Sequence, residues 1–164
     1  MANFIQAAEK VLDIEGKYSN DSNDYGGETK WGIAKKYYPE EDIPNVTKER
    51  ALEIYKRDYW NKFQGDLIDN QQIAEEMLDI AVNMHWTRAG MFLQDAINHL
   101  DKEKEDQLKV DGLIGPKTIK AVNSHPYPDA IVKHLNVCQG EHYHKRLHED
   151  TSQEVFYRGW LRRV

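Results

Sequence analysis

Apolar residues recur at three- and four-residue intervals in one segment after another, several of them closed by glycine or proline, and this restricts the chain to a mainly helical fold. Phe4, Ile5, Ala8, Val11 and Leu12 mark a helix over residues 3–15, with Asn3 as its cap and Gly16 as its stop. A helix from Thr47, a good N-cap, carries Ala51, Leu52, Tyr55 and Tyr59 and breaks near Gln64-Gly65-Asp66. Ile73, Met77, Ile80, Ala81 and Met84 mark the next. Phe92, Leu93, Ala96 and Ile97 mark another, with Thr87 as its expected cap and a solvated charge run over residues 101–106 after it. Gly115-Pro116 opens a further helix, and Pro126 and Pro128 separate it from a long one over roughly 129–148.

One stretch breaks the helical pattern. From Tyr18 to Ile33 the chain is polar and turn-rich, with Asn20, Asp21, Asn23, Asp24 and the pair Gly26-Gly27, and it reads as a short hairpin or irregular ribbon after the first helix. No repeat or low-complexity linker follows. Two lobes, 1–86 and 87–164, would therefore be joined by helix rather than by a tether.

Composition removes several classes of function. The 164 residues, 40% of them hydrophobic, suffice for a core. No apolar run reaches the roughly 20 residues of a membrane helix, and the first residues lack the pattern of a signal peptide, so synthesis in the cytoplasm without membrane insertion is expected. A net charge of −6, with both signs interspersed, offers no face for a phosphate backbone, and nucleic acid is not an expected partner. Cys138 is the single cysteine; it excludes a disulfide framework and reads as a small buried apolar residue. His142, His144 and His148, with Glu141, read as a solvated face rather than a metal site. Asp111-Gly112 lacks the other acidic ligands of a calcium loop. No metal and no cofactor are expected.

Glycoside hydrolysis needs a proton donor for the leaving oxygen and usually a second carboxylate that attacks the sugar or activates water. Glu15, at the last turn of the first helix, and Asp24, nine residues on in the glycine-rich turn, meet that need if the turn folds back across a cleft. Spacing alone carries little, since 28 acidic residues produce such pairs by chance.

The surrounding residues carry more. Glu15-Gly16-Lys17-Tyr18, then Asp24-Tyr25-Gly26-Gly27-Glu28-Thr29-Lys30-Trp31-Gly32-Ile33, resembles the signature of glycoside hydrolase family 108, peptidoglycan N-acetylmuramidases. Tyr55-Lys56-Arg57-Asp58-Tyr59-Trp60, Gly65-Asp66-Leu67 and Leu78-Asp79-Ile80-Ala81-Val82-Asn83 are similar to the segments that follow in that family. Leu93-Gln94, the run Val110 to Thr118, and Ala121-Val122 resemble the peptidoglycan-binding helical module that accompanies it, and Tyr157 to Arg163 its C-terminus.

The resemblance implies a lysozyme-like fold with a helical C-terminal lobe, and cleavage of the β-1,4 bond between N-acetylmuramic acid and N-acetylglucosamine with Glu15 as general acid. Asp24 and Thr29 would complete the catalytic set, and Tyr18, Tyr25, Gly26, Gly27, Trp31 and Asn83 would line the substrate cleft. Asp79, one turn before Asn83, reads as structural. The implied setting is that of a phage-type endolysin acting as a monomer on glycan strands, with a holin or other export route opening access to the wall. The sequence departs from the family at Lys17, which replaces the second glycine of the acid's motif, and at Met84-His85, where a small residue and a glycine are usual. Two other readings remain open: a non-catalytic wall-binding or secretion-assisting protein, and a lytic transglycosylase.

Overall fold

The structure, a computed structural model, describes residues 1–15, 18, 27–101 and 107–164, and the side chains of all of these except Ile14 and Glu15. It is mainly helical, as expected, with one short antiparallel hairpin among the described residues. The elements are α1 (Phe4–Glu15), β1 (Thr29–Lys30), β2 (Ile33–Ala34), α2 (Lys48–Tyr55), α3 (Gln71–Met84), α4 (Trp86–Leu100), α5 (Pro116–Ser124), α6 (Pro128–Glu149) and α7 (Glu154–Trp160). The charge run expected to form a loop falls, from residue 102 to 106, outside the described residues.

Helix starts follow their sequence signals where a short polar side chain can reach a free backbone N–H. Asn3 Oδ1 accepts from Gln6 N at 3.1 Å, and Thr47 Oγ1 from Arg50 N at 3.2 Å. Pro116 and Pro128 sit in the first turns of α5 and α6, where a missing N–H costs nothing. Thr87 is not the cap of α4. The helix begins at Trp86, two residues before a Thr87 cap would start it, and His85, with φ 80° and ψ 141°, ends α3 and caps α4 at once, its Nδ1 accepting from Thr87 N at 3.4 Å. A single residue thus turns the chain from one helix into the next.

The helix expected from Thr47 continues past α2 as a π-type turn, Lys56–Trp60, and breaks where Gln64 adopts φ 55°. Trp60 is fully buried between Phe4 and Phe63, each ring 5.4 Å away edge-on, and its indole N–H donates to Asp66 Oδ1 at 2.8 Å. Gly65 makes room for it, since a Cβ there would overlap the indole ring.

α1 and α3 lie side by side and run parallel. Contacts advance together along both: Asn3 N donates to Gln71 Oε1 at 2.6 Å, Gln6 Nε2 to Glu75 Oε1 at 3.1 Å, and Lys10 Nζ to Glu76 Oε1 at 3.3 Å. The last residue of α1, Glu15, and the last turn of α3, with Asn83, therefore emerge at the same end of the pair.

The core is continuous across the chain. Val11 and Leu12 of α1, Met77, Leu78 and Ala81 of α3, Leu93 and Ala96 of α4, and Ile131 and Leu135 of α6 belong to one buried cluster. Each of the larger side chains among them contributes about 1.5–3 kcal/mol by leaving water. α3 and α4, packed on one another and both on α6, form its centre.

Candidate active site

The hairpin that follows α1 in the chain is held by unusual backbone. Thr29 pairs with Ala34 and Lys30 with Ile33, leaving Trp31-Gly32 as a two-residue loop with φ 53° and 73°. Such loops need positive φ at both positions, which a bulky residue rarely adopts. Trp31 is kept there by the buried Tyr55, whose hydroxyl donates to the Trp31 carbonyl at 2.9 Å. Lys30 Nζ donates to the Pro44 carbonyl at 2.6 Å, so the hairpin is fastened to the segment before α2 as well as to α2.

Thr29 Oγ1 donates to the Gly27 carbonyl at 3.0 Å. Gly27 has φ 70°, and among the described residues nothing lies within 4 Å of where a Cβ would stand. The Tyr18 hydroxyl donates to Glu28 Oε1 at 2.8 Å. This bond joins the residues on either side of the segment that carries Asp24.

Of the residues singled out from sequence, Gly27, Thr29 and Trp31 share the hairpin, and Tyr18 joins it through Glu28. Glu15 ends α1. Lys17, Asp24, Tyr25 and Gly26 lie outside the described residues, as does the Glu15 side chain. Asn83 is half-buried on α3 and donates to the Asp79 carbonyl at 2.9 Å. Sequence reasoning passes over Glu28 and Tyr55, because a hydroxyl that pins a remote carbonyl leaves no local pattern.

Asp79 is a structural residue of α3. Buried, it accepts from Gln139 Nε2 of α6 at 2.6 Å and from Arg163 Nη1 at 2.5 Å. One helical turn away along the same face, Glu76 pairs with Lys10, and burial pushes its carboxyl above the usual range.

The second half has its own clamp. Gln94, nearly inaccessible on α4, accepts from Asp111 N at 3.0 Å and Gly112 N at 2.8 Å, and donates to Asp111 Oδ1 at 3.1 Å and the Leu113 carbonyl at 3.0 Å. Asp111 Oδ1 also accepts from Leu113 N at 2.9 Å. The Asp-Gly turn is thus a packed joint whose carboxylate is committed to the protein itself.

Residues 8–84 match the family described as Glycosyl hydrolase 108, and residues 88–164 match a Predicted Peptidoglycan domain. No curated protein matches the chain. Among solved structures, that of Brucella abortus SagA is similar, with 28% sequence identity and a TM-score of 0.74, covering 98% of this chain and 88% of that one. The fold is lysozyme-like. A glycosyl hydrolase segment continued by a peptidoglycan domain makes the protein a glycoside hydrolase that acts on peptidoglycan, and so on the cell wall. Across residues 8–84 the chain belongs to the glycosyl hydrolase 108 family, with residues 88–164 as its peptidoglycan domain.

Proposed function

We propose that the protein is an N-acetylmuramidase that cleaves the β-1,4 bond between N-acetylmuramic acid and N-acetylglucosamine, with Glu15 as general acid. The observation that carries this reading is the position of Glu15, within the segment matching the hydrolase family and at the C-terminal end of α1. Unpaired carbonyls give that end of a helix partial negative charge, which favours a carboxylic acid over a carboxylate. A proton donor for the glycosidic oxygen needs that bias.

Asp24 is the acid's partner in this reaction, activating water or stabilising positive charge on the sugar ring. Thr29 turns its hydroxyl from the Gly27 carbonyl toward that water. Tyr18, Tyr25 and Trp31 offer ring faces to the sugars, Gly26 and Gly27 admit the glycan close to the backbone, and Asn83 hydrogen-bonds an acetamido or hydroxyl group. The catalytic lobe spans 1–86, and 87–164 holds the wall. The biological role is that of a monomeric endolysin reaching its substrate through a holin or another export route.

Mass analysis of fragments released from purified peptidoglycan tests the reaction. Reducing N-acetylmuramic ends support the muramidase; anhydromuramic ends would mean a lytic transglycosylase, and binding without release a non-catalytic wall protein.

A further inference from the structure

Asp95 of α4 and His134 and Cys138 of α6 bring their ligand atoms, a carboxylate oxygen, an imidazole nitrogen and the thiol sulfur, within 4.8 Å of one another. His134 Nε2 lies 3.1 Å from Asp95 Oδ2. His134 and Cys138 are one helical turn apart, so both point from the same face of α6. The two helices are fixed against each other by a shared core that includes the buried Ala96 of α4 and Ile131 and Leu135 of α6. All three donors are half-buried between the helices rather than scattered on the surface.

We propose that Asp95, His134 and Cys138 bind a zinc-class divalent cation that staples α4 to α6 within the peptidoglycan domain. Zinc bonds of about 2.0–2.3 Å place tetrahedral ligands roughly 3.3–3.8 Å apart, a spacing this cluster reaches by small side-chain rotations. One sulfur, one nitrogen and one oxygen donor suit zinc or cobalt and not calcium or magnesium, which take oxygen alone. On binding, the thiol gives its proton to solvent, and the His134 Nε2 proton that faces Asp95 also leaves to solvent, the ring keeping or regaining a proton at Nδ1, so that Nε2 exchanges its bond to Asp95 for the metal.

A second histidine supports the site from outside. His99 Nδ1 lies 3.2 Å from Asp95 Oδ1, and its ring stacks on His134 at 6.0 Å. Its Nδ1 hydrogen-bonds the Asp95 backbone carbonyl at 2.9 Å, beside the carboxylate, which fixes the ring in the outer shell from which ligands are oriented in metalloproteins. With three protein ligands, the fourth position stays open to water or to a carboxylate of the wall peptide. The site departs from the expectation of no metal, because sequence spacing relates His134 to Cys138 but not to Asp95 on another helix.

Titrating the metal-free full chain with cobalt(II) tests this. The expected result is one cobalt per chain, with visible absorption of a tetrahedral ion and a near-ultraviolet thiolate charge-transfer band. Cys138→Ser should lose that band and bind at least tenfold more weakly, and zinc should raise the melting temperature of the wild type but not of this variant. Asp95→Asn, nearly the same shape, should weaken binding similarly and covers the case in which Cys138→Ser fails to fold. His144→Ala, which removes the exposed His144–His148 pair, should change nothing. Absence of the thiolate band, or uptake lost with His144 rather than with Cys138, would overturn the proposal.

Discussion

Arg163 donates its guanidinium to Asp79 in the middle of α3, joining the peptidoglycan domain to the central helix of the hydrolase segment. Side-chain exposures of 7% and 10% put the pair almost wholly out of water. Removing the guanidinium leaves the buried Asp79 carboxylate without its cation, so Arg163→Ala should destabilise the fold by about 3–5 kcal/mol. Denaturant unfolding measures this. A cost under about 1 kcal/mol would mean that the two segments are not anchored there.

Gly90 reverses the usual sign of a helical glycine substitution, and Gly112 faces the same kind of obstacle in a turn. Within a helix, Gly→Ala ordinarily gains about 1 kcal/mol. Here a Cβ on Gly90 would overlap the Gly112 carbonyl oxygen, and one on Gly112, at φ 77°, would overlap the Thr87 carbonyl oxygen. Both obstacles are backbone and cannot swing aside. Gly90→Ala and Gly112→Ala should each lower stability by about 2 kcal/mol or more, as overpacking does, visible as a lower melting temperature. An unchanged or higher value for Gly90→Ala would contradict the close approach.

His85 carries the opposite prediction. Its φ of 80° is a region suited to glycine, and strain of about 1–3 kcal/mol at such a residue exceeds the weak 3.4 Å cap its ring provides. His85→Gly should stabilise the protein by about 1 kcal/mol after the entropy of the freer unfolded chain is counted. Loss of stability would show that the ring's packing on Trp86 outweighs the strain.

Glu76 makes stability depend on pH in an unusual direction. Burial raises its folded-state pKa above the ordinary 4.5, and Lys10 only partly offsets this. A raised carboxyl favours the folded state below the unfolded value, and that stability is lost as pH rises through the folded value. Glu76→Gln should therefore abolish one component of the fall in stability as pH climbs from 4.5 toward neutrality. Parallel stability curves for variant and wild type over that range would refute it.

The helices are legible in the sequence because their apolar stripes repeat and their caps are local; Asn3 and Thr47 act within three residues of themselves. α7 is not: Glu154–Trp160 spans two turns, and the sequence offers no apolar repeat long enough to mark it. The start of α4 is misplaced by local chemistry, which makes Thr87 the better cap, whereas packing of α3 on α4 forces the turn at His85. The hairpin is expected as a region, but its loop at Trp31-Gly32 lacks the usual asparagine and depends on Tyr55, 24 residues away. Asp79 is readable as structural, yet its partners, 60 and 84 residues distant, are not.

Glu15→Gln removes the proton of the proposed acid and keeps its shape. Wild type and variant are each added to purified peptidoglycan, and turbidity and bound protein are followed together. The expected result is clearing by the wild type, a loss of at least about a thousandfold in rate for the variant, about 4 kcal/mol of barrier, and equal binding of both to the wall. Equal clearing by the two proteins would contradict it.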